Sequence, residues 1–323
     1  MVISFLGLVF SKYPLCSRWI SLSQIRILKT YFNLAKKSNQ NLIEIPKTKV
    51  KSKIWRSFNR FLRFQIKYID PQDWAQTPLV RDVCLVQDQP LSNEISRNLC
   101  EREYLALTKI AQNFAQNFSG LEKQEFLSIL IRNLQLINTY KNLGMNPIGT
   151  KLAVAEIGPG FGLIAAILLH EDIDYYSYDT VEFQEVCKFV ESTVIKKEKA
   201  ITYYPMNLRH PLSIEIPIPS SDYCVLAFYS FTEMPIKDRE RYFQLLNNAD
   251  YSIIVSNNIF ENINNFEYIE SIAARMKKQL LQLNLSEVLG IKKQKYLSNH
   301  KIFLLYNGKN EAHVKTIEME KKK

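Results

Sequence analysis

Cysteine is sparse in this sequence of 323 residues: the five cysteines are odd in number, scattered, and include no Cys-x-x-Cys pair. Their pattern excludes a disulfide framework and a zinc site made of paired thiolates. Long apolar runs are also missing. The apolar stretch at the start covers about ten residues, half of the about 20 that span a bilayer, and it has no leading positive segment. We therefore expect a cytoplasmic protein in a reducing compartment.

Acidic residues are nearly absent from residues 1–67, which carry fourteen Lys or Arg and one acid, Glu44. The remaining residues hold 28 basic and 31 acidic side chains. The net charge of +10 therefore belongs to a basic N-terminal extension rather than to the whole chain. Because the main part is slightly acidic, the overall charge does not indicate a specific nucleic-acid partner, and we expect none.

Residues 51–67 predict a helix with two faces. Two sets of residues recur at helical spacing: the apolar Ile54, Trp55, Phe58, Phe61 and Leu62, and the basic Arg56, Arg60, Arg63 and Lys67. Such a helix can lie on an anionic membrane, which would place the protein peripherally at the inner face. Alternatively, its apolar face docks on the main domain and its arginines are solvated. We favour the second interpretation.

From residue 151 onward, short apolar strands alternate with helices, which is typical of a mostly parallel, doubly wound α/β sheet. The predicted strands are 152–156, 175–178, 201–205, 223–228 and 251–256, and the predicted helices are 161–170, 182–196 and 264–285. Residues 287–296 and 301–306 predict a closing hairpin, with His300 in its turn and an antiparallel last strand. Residues 94–140 are helical in pattern, with a break at Gly120.

These patterns divide the chain into four parts. We expect a basic extension over residues 1–67, a helical region over 68–150, the α/β domain over 151–308 and a polar tail over 309–323.

Glycine is scarce, with nine residues where an average composition would give about 23. Three of the nine, Gly158, Gly160 and Gly162, fall within five positions between a predicted strand and a predicted helix. Glycine so concentrated indicates a backbone that approaches a ligand closely. The spacing is not that of the dinucleotide fingerprint, whose third glycine would fall at Leu163.

Two acids accompany this turn. Glu156 precedes it, where a carboxylate is unfavourable for a pyrophosphate but suits the ammonium of a methionine-like group, directly or through water. Asp179 ends the second predicted strand, where it can accept hydrogen bonds from both hydroxyls of a ribose. We therefore predict S-adenosylmethionine as cofactor, bound by the three glycines and the two acids. The alternative is a structural turn with two surface carboxylates.

The segments EIGPGFGLIAAILL and SYDTVEF resemble the first two motifs of class I S-adenosylmethionine-dependent methyltransferases, which implies a Rossmann-like domain. DYCVLAFYSFTEMP and YFQLLNNADYSIIVSNN are similar to a family of sugar O-methyltransferases, and the resemblance covers about residues 95–260. That family has proline soon after the second-strand acid, where this chain has Thr180 and Val181. Two features are shared: a Ser-Phe-x-Glu-Met motif at Ser230, Phe231, Glu233 and Met234, and an asparagine ending the fifth strand at Asn257 or Asn258.

The resemblance implies methyl transfer to a hydroxyl of a polysaccharide, glycolipid or sugar precursor. Such an enzyme must align the acceptor oxygen and benefits from a general base. Our candidates for the base are Glu233, in the loop after the fourth strand, and His210, in the loop after the third. Tyr229, Ser230 and Asn257 are candidate partners of the acceptor hydroxyls. No spacing typical of a metal site is present, and we predict none.

Two other functions fit the same residues. The chain could be a non-catalytic binding or scaffold protein with this fold, which would bind the cofactor without turnover. It could also be a methyltransferase whose acceptor is a small natural product or a lipid.

Overall fold

The computed structural model describes residues 30, 33, 53–77, 80–81, 99–195, 201–205, 216–260, 262–289 and 299–308, with only the backbone of residues 53–58. The helices are α1 (Lys53–Tyr68), α2 (Glu101–Asn117), α3 (Lys123–Ile137), α4 (Pro147–Thr150), α5 (Leu163–His170), α6 (Val181–Val190), α7 (Ile236–Arg239), α8 (Phe243–Asn248), α9 (Asn265–Met276) and α10 (Leu285–Val288). The strands are β1 (Ala153–Ile157), β2 (Tyr175–Asp179), β3 (Thr202–Pro205), β4 (Tyr223–Phe228), β5 (Tyr251–Asn257), β6 (Ile259–Phe260), β7 (Ile263–Asn264), β8 (Gln279–Asn284) and β9 (His300–Tyr306).

Seven strands form one sheet in the order β3-β2-β1-β4-β5-β9-β8, and β6 and β7 form a small separate hairpin. Strands β1 to β5 pair in parallel, whereas β9 runs antiparallel to both β5 and β8. The strand order reverses at β1, so the carboxyl ends of β1 and β4 border the crevice where doubly wound folds bind ligands. The predicted doubly wound sheet with an antiparallel strand is confirmed.

Helices cover both faces of this sheet. Ile253 and Val255 of β5 belong to the hydrophobic core on one face, and Ile254 belongs to the core on the other. This alternation follows from the two-residue period of a strand. Helices α1, α2, α3, α5 and α6 cover the first face, and α8 and α9 cover the second. Burial on both faces explains why the central strands are almost continuously apolar.

The helical region before the sheet contains the antiparallel neighbours α2 and α3. Each begins with a carboxylate that accepts a backbone N–H: Glu103 from Cys100 at 3.1 Å, and Glu125 from Glu122 at 2.6 Å. Gly120 lies between them at a φ of +86°, which confirms the predicted break. These carboxylates stabilise both helix starts, because they satisfy N–H groups that have no partner inside the helix.

Helix α1 packs on the main domain through its second half. Leu62 and Ile66 are buried in the core of the first sheet face, so docking of the apolar side is confirmed for the described side chains. Arg63, predicted on a solvated face, instead pairs with Glu182 at the start of α6, and that prediction is wrong. The cause is the fully buried Glu182 carboxylate, which requires a positive partner.

Contact of residues 51–67 with an anionic membrane stays a prediction. In the part of the chain that the structure describes, no helix combines the length and the apolar character needed to cross a bilayer.

The end of the chain departs from the expectation in three places. The predicted helix 264–285 is helical only to Met276, because Lys277 takes a left-handed φ of +55°. The next residues form β8, although Gln and Leu favour helices, since pairing with β9 outweighs that preference. His300 begins β9 and does not lie in a hairpin turn. The described start of the predicted strand 287–296 belongs to α10.

Replacing Leu62 by alanine tests the docking of α1. Because this side chain is fully buried in the core, we expect the free energy of unfolding to fall by about 2–5 kcal/mol. Urea unfolding of both proteins measures the change. Arg60→Ala on the same helix is the matched control, since Arg60 is exposed and should change the value by less than about 0.5 kcal/mol. Equal stability of the Leu62→Ala variant and the wild type would contradict the packing.

Candidate functional site

The turn between β1 and α5 has a left-handed backbone at each of its three glycines. The φ angles are +72° at Gly158, +58° at Gly160 and +75° at Gly162. A Cβ on Gly158 would overlap the side chain of Ser230 and lie 2.7 Å from its Oγ. Other residues adopt this conformation only at a cost of about 1–2 kcal/mol each. The conformation and the close neighbour together explain why glycine is concentrated here.

Ser230 joins the loop after β4 to the end of β1. Its hydroxyl donates to the carbonyl of Ile157, the last residue of β1. The N–H of Gly158 donates to the carbonyl of Tyr178 in β2 at 2.8 Å. The loops after β1, β2 and β4 therefore meet at one edge of the sheet. A role of Ser230 in acceptor binding stays a prediction.

Asp179 lies against the glycine turn at the carboxyl end of β2. Its carboxylate accepts a hydrogen bond from the N–H of Thr180 at 2.6 Å, and the nearby backbone of Gly160 also acts to lower its pKa. Burial nevertheless raises its pKa to about 7. Two predicted cofactor ligands, Gly160 and Asp179, thus lie close together, and the Asp179 side chain is half-buried at the crevice.

Glu156 lies beneath the turn and is only 2% exposed. The hydroxyl of Tyr175 in β2 donates to its carboxyl group. Burial raises the pKa of Glu156 to about 8, the nearby Asp179 raises it further, and the bond from Tyr175 acts in the opposite direction. Glu156 therefore links β1 to β2 just before the turn. Nothing in the sequence pattern pairs it with Tyr175, which follows 19 residues later in the adjacent strand.

Glu233 stands in a loop that a buried arginine holds in place. Arg239 Nε donates to the carbonyl of Met234 at 2.7 Å, and its Nη2 donates to the carbonyl of Thr232. The Arg239 guanidinium is fully buried and lies over the ring of Tyr268 at 4.9 Å. Burial lowers the pKa of Arg239 to about 10 and raises the pKa of Glu233 to about 7. The burial of Arg239 could not be predicted from the sequence, since an arginine carries no sign of the contacts that bury it.

A further group of polar side chains lies at the ends of β4, β5 and β9. Tyr229 Oη is 3.0 Å from His300 Nδ1, and His300 stands opposite Asn257 across the β5–β9 pair. Asn257 Oδ1 accepts a hydrogen bond from Asn265 Nδ2 at 2.8 Å. Tyr229 and Asn257 were predicted from the sequence, but His300 was missed because β9 was expected to begin one residue later.

His210, the second candidate base, lies outside the described residues. Among those that are described, no group of three or more His, Cys, Asp and Glu side chains is arranged to hold a metal ion.

The sequence and the fold were compared with those of known proteins. No protein-family model and no curated protein matches the sequence. Solved structures do match. The methyltransferase domain of bacterial CtHen1 is 14% identical, with 54% of this chain and 99% of that chain covered and a TM-score of 0.40. Magnesium protoporphyrin IX methyltransferase from Synechocystis PCC 6803 is 10% identical, with 65% and 99% covered and a TM-score of 0.40.

A third similar structure is a SAM-dependent methyltransferase from Aquifex aeolicus. It is 14% identical, with 54% of this chain and 90% of that chain covered and a TM-score of 0.35. These likenesses concern the arrangement of strands and helices, and conclusions about activity must come from the site itself.

Gly158→Ala tests the turn. The added Cβ meets Ser230 and forces a left-handed alanine, so we expect a loss of about 2–4 kcal/mol of unfolding free energy, measured in urea. Gly149→Ala is the matched control, because nothing lies within 4 Å of its Cβ position and Gly149 is in a short helix. An equal effect of the two substitutions would contradict the close approach of β1 and β4.

Glu156→Gln tests the buried carboxyl. Because the pKa of Glu156 is raised from 4.5 to about 8, the folded chain keeps a proton that the unfolded chain releases. Stability from the neutral form is present below pH 4.5 and is lost as the pH rises through about 8, by up to about 1.4 kcal/mol per pH unit. The glutamine variant should therefore lose less thermal stability between about pH 6 and 9 than the wild type.

The exposed Glu270→Gln is the control, because it makes the same chemical change on the surface of α9 and should leave the profile as in the wild type. Identical pH profiles for Glu156→Gln and the wild type would show that this carboxyl does not titrate in the expected range.

Proposed function

We propose that this chain is an S-adenosylmethionine-dependent O-methyltransferase that acts on a hydroxyl group of a sugar or glycan. The observation that carries the proposal is the position of Asp179 beside the glycine turn, whose Gly158 N–H donates to the carbonyl of Tyr178, the residue before Asp179. A carboxylate in this position, at the edge that borders the crevice between β1 and β4, would accept hydrogen bonds from the hydroxyls of a ribose.

The residues present fit this cofactor. The three left-handed glycines leave a backbone surface without side chains, along which the methionine part of the cofactor would lie. Asp179, half-buried at the rim, would accept the two ribose hydroxyls. Glu156 lies below the turn and would act on a cationic ligand through its charge or through water, since it is almost fully buried. When bound, the cofactor supplies a methyl group on a positively charged sulfur.

The chain's own residues must place the acceptor oxygen in line with that methyl group. Glu233 is our candidate for binding the acceptor hydroxyls, because its loop follows β4 at the same edge and is held by Arg239. With a pKa of about 7 this carboxyl is partly protonated near neutral pH, so it could donate a hydrogen bond to an acceptor hydroxyl or accept one from it. Tyr229, Ser230 and Asn257 would contribute further hydrogen bonds. The choice of a sugar acceptor rests on the resemblance of the Ser-Phe-x-Glu-Met segment.

Calorimetry with S-adenosylhomocysteine tests the cofactor assignment. We expect the wild type to bind and Asp179→Asn to bind about 10–100-fold more weakly, because the amide replaces one of the two acceptor oxygens with a donor. The amide oxygen can still accept the Thr180 N–H, so the loop should keep its shape. Asp222→Asn is the control, since Asp222 is exposed before β4 at the opposite edge of the sheet.

The acceptor class is tested by methyl transfer to a panel of glycosides and oligosaccharides, with the products detected by mass spectrometry. A wild type that binds no S-adenosylhomocysteine would refute the cofactor assignment. Binding without methylation of any sugar, together with methylation of lipids or small aromatic alcohols, would replace the acceptor class. Binding with no methylation of any acceptor would favour a scaffold protein.

A further inference from the structure

Tyr229 has an uncommon backbone conformation at the carboxyl end of β4. Its φ is +66°, a left-handed value that bulky residues rarely adopt. Its N–H donates to the carbonyl of Val255 at 2.8 Å, and its carbonyl accepts from the N–H of Glu233 and the hydroxyl of Thr232, both at 3.0 Å. Hydrogen bonds to both the N–H and the carbonyl of Tyr229 therefore fix its backbone conformation. Strain of this kind clusters at functional sites.

The phenol of Tyr229 reaches across β5. Because β5 lies between β4 and β9 in the sheet, the 3.0 Å contact between Tyr229 Oη and His300 Nδ1 passes over the carboxyl end of β5. Asn257, the last residue of β5, stands directly opposite His300. The two rings meet edge to face, with centroids 5.4 Å apart. The pair therefore lies at the edge that also carries Glu233 and the glycine turn.

We propose that Tyr229 and His300 form the proton-accepting pair of the methyl transfer, with Tyr229 in contact with the acceptor oxygen and His300 acting through it. This inference rests on the proposed function. As the acceptor oxygen bonds to the methyl carbon and the carbon–sulfur bond breaks, the hydroxyl proton passes to Tyr229 Oη. The phenol proton passes to His300 Nδ1. The products are a methyl ether, a neutral thioether and an imidazolium, which carries the charge that the sulfur loses.

His300 suits this role because it starts the reaction neutral. Burial lowers the pKa of its imidazole, so near neutral pH the ring is neutral and one ring nitrogen can accept a proton. A tyrosine that donates to this nitrogen can pass on a proton without first becoming a phenolate. Among the described residues, the other titratable groups on β9 and on the elements packed against it are Lys301, Tyr306, Tyr251, Glu287, Tyr140 and, on α9, Glu267, Tyr268, Glu270 and Arg275.

Lys301, the cation next to His300 in the chain, interacts with other residues. The ammonium of Lys301 lies over the ring of Phe266, at 4.6 Å from the centroid, and donates to Gln282 at 3.1 Å. Tyr251 and Tyr306 pair at the far end of the strands. Tyr229 is a hydrogen-bonded partner of His300 Nδ1.

The proton arrangement can be measured without any acceptor. The chain has four histidines, so the ¹⁵N imidazole signals that vanish in His300→Gln identify this residue. At neutral pH we expect His300 to carry its proton on Nε2, with Nδ1 accepting from Tyr229. In Tyr229→Phe the His300 signals should shift, while the exposed control Tyr104→Phe should leave them unchanged. A proton on Nδ1 in the wild type, or no shift in Tyr229→Phe, would overturn the proposed relay.

Turnover gives the second measurement, with S-adenosylmethionine and the glycoside panel. We expect Tyr229→Phe and His300→Gln each to lower kcat by about 100-fold or more. The double variant should be no worse than either single one, because the two residues act as a unit. Affinity for S-adenosylhomocysteine, thermal stability and kcat of Tyr104→Phe should match the wild type. A kcat near the wild-type value in either single variant would overturn the pair.

The two proposals fail in different ways. A wild type that binds no S-adenosylhomocysteine refutes the proposed function, and the histidine signals still decide whether Tyr229 donates to His300. A wild type that methylates sugars, together with fully active Tyr229→Phe and His300→Gln variants, keeps the proposed function and refutes the pair. Loss of turnover in Glu233→Gln alone would then assign the proton to Glu233.

Discussion

The close approach of the ends of β1 and β4 is the constraint on which the candidate site depends. Ser230 fills the space that a side chain on Gly158 would need, and its hydroxyl is bonded to the last carbonyl of β1. Only glycine, which has no side chain, fits at this position of the turn. Because of that turn, the backbone of Gly160 lies near Asp179, and the loops after three strands share one edge. The packing of β1 against β4 therefore shapes the crevice, and it also determines where the acids around the crevice lie.

Three carboxyl groups surround this crevice, and burial raises the pKa of each: Glu156, Asp179 and Glu233. Burial disfavours the charged form of each group, so carboxyls with pKa values of about 7 to 8 are partly protonated near neutrality. An approaching cation reverses this balance, since an opposite charge lowers the pKa of each carboxyl. The negative potential of the site would thus develop as a cationic ligand enters, rather than stand permanently exposed to water.

Much of this could be predicted from the sequence, because the relevant signals are local. The strands of the parallel sheet could be predicted from short apolar runs. The glycine turn could be predicted from three glycines beside two acids. The failures concern contacts between distant residues. Gln279 to Asn284 have helical preferences but pair with β9. Arg63 looks like a surface residue but meets a buried carboxylate, and His300 gains its neighbour Tyr229 only through the order of the strands.

The ion pair between Arg63 and Glu182 also bears on how the chain folds. Its partners are 119 residues apart, so α1 leaves the ribosome long before the surface that covers it has been made. Contacts of such sequence separation form late, because the intervening loop must close first. Until then Leu62 and Ile66 are apolar groups without a core, on a strongly basic segment. The same charge that surrounds them would keep nascent chains apart through mutual repulsion, which delays aggregation until the sheet is complete.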